Sequence, residues 1–348
     1  MIPTSTRTAP GPRFEHLRRL STGPGLFEHA DHQQPRPEHG YCLDDVSRAL
    51  VVVCREPDPD RSLQELAQTY LDFTLAALQP DGSFHNRMRA DGSWADAPVA
   101  GDWWGRAVWG LGVAATRGPT LELRRQAMDG FTVASRARVS PHHLRPGVFA
   151  ALGATEVAAA DPGNEDAREL LRDVVRTVGV PSAAMVDPFW PWPERRLRYA
   201  NAAVPEAMIV AGTVLQDRAA LDHGFRLLDF LVRIETRDRH FSVTPVGGRD
   251  RAAAEPGFDQ QPIEVSSLAD ACARAYDLSG DERWRRGVRT AWAWFLGDND
   301  SRTPMFDAET GAGFDGLLRA GRNLNQGAES TLAALSTAQQ AQRLGVFS

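Results

Sequence analysis

Apolar positions recur with a period near 3.6 along most of the chain, and the helical segments they predict fall into two alternating kinds. One kind is charged and amphipathic: residues 61–78, 121–137, 165–179, 217–234 and 281–296. In the last of these, Trp284, Val288, Trp292 and Phe295 share one face while Arg285, Arg286 and Arg289 lie elsewhere, as expected of a helix packed on one side only. The other kind is small, apolar and almost free of charge after its first turn: DDVSRALVVVC, GRAVWGLGVAA, GVFAALGATEVAAA, NAAVPEAMIVAGTVL, PIEVSSLADACARAY and QGAESTLAALSTAQQ. Helices apolar all round are buried ones.

The buried segments start near residues 44, 103, 147, 202, 262 and 326, with one charged helix in each gap. The N-terminal segment around 13–20 supplies the sixth outer place. Six inner helices alternating with outer ones predict an all-α fold, an (α/α)6 toroid of helical hairpins. Connections leaving an inner helix are short, whereas those entering the next are long, at 79–102, 180–200, 235–261 and 297–325, and rich in Gly, Pro, Trp and Asp. DGSFHN, DGSW and HFSV within them predict short strands or hairpins. The long loops therefore gather on one face and place a cleft at the N-terminal ends of the inner helices. At 348 residues the chain reads as a single domain over 13–348 behind a flexible N-terminus, 1–12.

Composition removes several classes of function. Every basic side chain other than histidine is arginine, lysine being absent, and the arginines are scattered among acids at a formal net charge of −6. The basic stripe of a nucleic-acid binder is missing. No apolar run has the length of a signal peptide or a membrane span, so the expected location is cytoplasmic, with no membrane partner. Cys42, Cys54 and Cys272 follow no metal-binding spacing and read as reduced thiols; neither a metal nor an organic cofactor is expected. The nine histidines avoid the inner-helix segments, which sets a histidine-dependent sugar epimerase behind a hydrolase.

The acids predicted at the cleft are Asp44, Asp45, Asp102, Glu206, Glu264 and Glu329. Carboxyl groups crowded into one pocket separate in pKa and so supply an acid and a base, as glycosidic cleavage requires. Each has a structural alternative. Asp44 or Asp45 can cap its helix, with Asp45 pairing to Arg48 one turn on; Glu206 and Glu264 each follow a proline in a first helical turn; Asp102 can cap the segment after it. Glu329 has less excuse, standing about four residues past Asn325 in an apolar inner helix. The leading assignment takes Asp44 or Asp45 with Glu264 or Glu329 as the catalytic pair. Arg48, Asp102, Arg106 and Glu206, the loop tryptophans Trp103 and Trp104, and the polar groups of His32, Gln33, Gln34, Asn201, Gln260, Gln261, Asn325 and Gln326 would hold a polyhydroxylated ligand.

The blocks GYCLDDVSRAL, DGSFHN with DWWGRAVWGLG, DQQPIEVSSLADAC and NQGAESTLAAL resemble those of bacterial six-hairpin glycosidase-like proteins, which occur alone or as C-terminal domains of glycosyltransferases. The resemblance implies the (α/α)6 fold, carbohydrate chemistry, an oligosaccharide or glycoconjugate as substrate, and a functional link to a glycosyltransferase. A looser likeness, to family 76 endo-α-mannanases, implies that Asp44 and Asp45 are the nucleophile and the acid/base. The competing expectations are a non-catalytic carbohydrate-binding or accessory subunit and, behind it, a sugar isomerase or polysaccharide lyase.

Overall fold

A computed structural model describes residues 11–137, 143–181, 187, 189–253 and 255–347. Of the N-terminus expected to be flexible, residues 1–10 lie outside this set. Among the described residues are twelve α-helices, and they alternate as the apolar pattern requires. The inner ring is α2 (Leu43–Arg55), α4 (Asp102–Arg117), α6 (Leu144–Ala160), α8 (Ala203–Leu215), α10 (Pro262–Ser279) and α12 (Ala328–Arg343). The outer ring is α3 (Arg61–Ala77), α5 (Leu121–Ala134), α7 (Glu165–Val178), α9 (Arg218–Ile234) and α11 (Glu282–Phe295), completed by a short helix α1 (Glu15–Leu20).

How the helices begin separates the two rings. The five long outer helices each open on a capping side chain, from Asp60, Thr120, Asn164, Asp217 and Asp281, which accepts a backbone N–H of the first turn. None of the six inner helices has a side-chain cap. Neither Asp44 nor Asp45 caps α2, whose N-cap is Cys42, and Asn325 does not cap α12, whose N-cap is Gly327. Asn325 instead accepts the backbone N–H of His32 at 3.0 Å.

The inner ring packs most closely between α4 and α6. A Cβ placed on Gly105 would lie 2.2 Å from the Pro146 carbonyl oxygen, and one on Gly112 would lie 2.3 Å from that of Gly153, so these backbones meet with no side chain between them. The seam that closes the ring, between α12 and α2, is different: it is bridged by Arg48 to Glu329 at 2.8 Å near one end and by Arg55 to Ser336 at 3.2 Å deeper in.

Long loops run into the inner helices, and two-stranded sheets brace them. A strand, Tyr41–Cys42, just before α2 pairs antiparallel with Arg87–Met88, setting Cys42 opposite Arg87. The HFSV segment opens on a strand, His240–Phe241, paired with Thr236–Arg237. No helix among the described residues is long and apolar enough to cross a membrane.

Candidate active site

At the N-terminal ends of α2, α4 and α12 lies a cleft of about 280 Å³. Of the predicted site residues, Asp44, Asp45, Arg48, Asp102, Trp103, Gln261 and Glu329 line it. Its floor is built around one guanidinium. Arg48, 8% exposed, donates to Asp45 at 2.6 Å, to Asp44 at 3.3 Å and to Glu329 at 2.8 Å. Helical spacing explains the first two, because residues three and four apart share a face. The third is a ring-closure contact that no local pattern carries. Arg106, from α4, forms a short ion pair with Asp44 and lays its guanidinium 4.1 Å from the Phe149 ring centroid.

The three carboxyl groups do not share one environment. Asp45 is 3% exposed, and its pKa is pushed up to about 8 by burial; Arg48 opposes the rise, while the Asp44 and Glu329 carboxylates add to it. Glu329 is the open one, its side chain 37% accessible against 4% for Asp45. A buried acid whose pKa is raised and an accessible carboxyl group thus sit on different nitrogens of the same arginine.

Other predicted residues stand elsewhere. Glu264 lines a separate loop cavity of about 540 Å³ beside Tyr199 and Thr244. Its carboxyl accepts the backbone N–H groups of Ala200 at 2.5 Å and Asn201 at 3.2 Å, and the Asn201 side-chain amide at 3.1 Å. Burial and the Glu235 carboxylate push it up to about 8, against the pull of those N–H donors. In this position it fastens the 198–202 turn, where Ala200 has a positive φ of 44°. Glu206 stands at depth, away from the cleft, because α8 starts low in the ring: it borders an axial cavity of about 40 Å³ and a pocket at the opposite end.

Trp104 is 1% exposed and donates its indole N–H to Ala134, which makes it core; Trp103 keeps one face on the cleft while its N–H goes to Phe84. Gln260 is fully buried and spent on Gly257 and Asp300, Gln33 bonds Arg19 and Asp307, and the Gln326 carbonyl holds His16. His32 and Gln34 are at an exposed hairpin outside the cleft wall.

Sequence reasoning missed Glu28, His29, Cys42, Asn86, Arg87, Asp315 and Ser330, all in the cleft wall. Glu28 pairs with Arg87 and lies 3.7 Å from the His29 imidazole. Asn86 ends the DGSFHN block, so one signal was on the page; the long-range pairing of Arg87–Met88 with Tyr41–Cys42 beside it was not. Glu28, Cys42 and Asp45 place possible ligand atoms within 4.8 Å of one another. Burial raises the Cys42 thiol well above its usual value, and the two carboxyls already have arginine partners, so the trio does not fit a metal ion well.

No protein-family model matches the chain, and no curated protein matches its sequence. Solved structures do. A sugar epimerase from a ruminal bacterium superposes with a TM-score of 0.70 over 94% of this chain and 95% of its own, at 12% identity. A D-mannose isomerase gives 0.69 over 94% and 95%, at 10% identity. The cellulase Cel9M of C. cellulolyticum gives 0.60 over 92% and 87%, at 9% identity. The chain is a six-hairpin (α/α)6 toroid. At these identities the likeness is one of fold, and it holds over nearly the whole length of chains that perform different reactions.

Proposed function

We propose that the protein is a carbohydrate-active enzyme, a glycoside hydrolase in which Asp45 is the proton donor and Glu329 the carboxylate that attacks or activates water. The observation that carries this is the Arg48 node, where a buried acid raised to about 8 and an accessible glutamate are held by one guanidinium at the floor of a cleft. Asp44, bonded by both Arg48 and Arg106, is the fixed anion that holds the two arginines in place. Trp103 and the polar wall from Asn86, Gln261 and Ser330 suit the flat C–H faces and hydroxyl groups of a sugar. The adjacent-aspartate scheme, with Asp44 and Asp45 as the two catalytic groups, is less well supported, since Asp44 is held by two cations.

A second reading, sugar epimerisation or isomerisation, draws support from one observation. His29 enters the cleft from a loop beside Glu28, so a histidine reaches the site although none lies there on an inner helix. Two of the similar structures are a sugar epimerase and a D-mannose isomerase.

One experiment divides the readings. Purified protein is incubated with a panel of α- and β-linked gluco- and manno-oligosaccharides, and products are resolved by mass and by anion-exchange chromatography. Hydrolysis gives shorter sugars that disappear with Asp45→Asn and with Glu329→Gln. Products of unchanged mass that disappear with His29→Ala identify an isomerase. Affinity for a glycan without any product identifies the accessory, glycosyltransferase-linked role and removes both enzymatic readings.

A further inference from the structure

Among the described residues, nothing seals the end of the toroid opposite the cleft. Where the C-terminal ends of α2, α4, α10 and α12 converge there is a pocket of about 360 Å³, larger than the cleft, and no part of the proposed reaction uses it. Its walls are charged, yet nearly every charge has a partner inside the wall. Arg55 donates to Asp270 at 3.0 Å, Arg274 and Arg117 converge on Glu156 at 2.9 and 2.8 Å, and Arg343 reaches Asp277 at 2.8 Å.

Glu206 is the exception. It is 4% exposed and borders the pocket, and among the described residues its carboxyl makes no hydrogen bond or ion pair. The groups that face it are Arg55 from α2, Glu156 from α6, and Asp270, Cys272 and Arg274 from α10. A second acceptor is open in the same wall: Gln339 spends its amide N–H groups on the Val52 carbonyl and on Glu56, leaving its Oε1 buried without a donor. Buried acceptors left unpaired are unfavourable, and a ligand that donates to them relieves that cost.

The charge balance says which donor fits. Four arginines face five carboxyl groups around the pocket, so the wall is neutral with Glu206 protonated and carries one negative charge with it ionised. Helix C-terminal ends add the negative poles of their dipoles and favour a cation. We infer that this pocket binds a small organic cation bearing an ammonium group, with the Glu206 carboxylate as its counter-ion and Gln339 Oε1 as a second acceptor. The site is independent of the cleft chemistry and stands or falls apart from it.

The test is calorimetric titration of the full chain at pH 7 with putrescine, with glucosamine and with the neutral N-acetylglucosamine. At least one of the two amines is expected to bind, and which one does distinguishes a diamine from an amino sugar; the N-acetyl compound is expected not to bind. Because burial raises the Glu206 acid to about 8, amine binding at pH 7 releases a proton, so the heat differs between phosphate and MOPS buffers, neither of which offers a primary ammonium group. Glu206→Gln and Gln339→Leu, each checked for native circular dichroism, are expected to weaken the amine at least tenfold. No binding by either amine overturns the inference. So does equal affinity for glucosamine and its N-acetyl form, or a heat independent of buffer. An affinity within twofold of the native one in a folded Glu206→Gln variant does so too.

Discussion

Arg48 and Glu329 are 281 positions apart in sequence and 2.8 Å apart in space, and their contact joins the first inner helix to the last. The same guanidinium also donates to Asp44 and Asp45, so one side chain closes the ring and gathers the three carboxyl groups of the cleft floor. Replacing Arg48 with Met takes the shared cation from Asp44 and Glu329 and the hydrogen-bond donor from the buried Asp45. The expected loss is about 3 kcal/mol, read as a lowered urea midpoint at pH 7.5.

With Asp45 as proton donor, turnover requires its protonated form. Activity on a responsive glycan should therefore fall as pH rises through about 8, the value to which burial raises this group. Asp45→Asn should remove that alkaline limb together with at least a hundredfold of kcat. An unchanged alkaline limb in a variant that still turns over would assign the titration to another group.

Glu264 offers a contrast. Its carboxyl is taken by the N–H groups of Ala200 and Asn201, so it acts on the 198–202 turn and not on a substrate directly. Glu264→Ala strands two buried donors and is expected to destabilise by about 2–4 kcal/mol, measured by urea unfolding. A variant of native stability with no activity would restore Glu264 to the catalytic group.

For Glu206 the pH dependence has a definite sign. Its folded pKa, about 8, stands above the ordinary 4.5 of a glutamate, so between those values the unfolded chain gives up a proton that the native state keeps. Stability from this group is complete below pH 4.5 and is lost progressively as pH climbs to 8. Glu206→Gln should flatten the decline by up to about 1.4 kcal/mol per pH unit, visible as a smaller change in urea midpoint between pH 5 and pH 7.5.

The ring was legible because burial on all sides and burial on one side leave different marks in a sequence. The inner-helix starts predicted near 44, 103 and 262 fall at Leu43, Asp102 and Pro262. Axial stagger leaves no such mark. Glu206 and Glu264 each follow a proline-containing helix start, yet α8 begins deep enough to turn Glu206 toward the far end, while Glu264 at the start of α10 fastens a loop. Nor does long-range strand pairing show in the chain: Arg87 reaches the cleft through its pairing with Tyr41–Cys42 and His29 through a loop, neither of which periodicity describes. Asp44, Asp45 and Glu329 were found because acids at the starts of apolar helices conflict with their surroundings, and that conflict is local.

The bare backbone contact between α4 and α6 implies an uneven ring. Glycine against carbonyl leaves no side chain to rotate and no gap for water, so this side can open only by separating whole helices. The ring-closing seam, α12 against α2, is bridged by long arginine side chains that can exchange partners. Amide hydrogens of α2 and α12 near the cleft should therefore exchange with deuterium sooner than those around Gly112 and Gly153. The cleft floor would then lie on the side of the toroid that breathes, with the glycine seam as its fixed spine.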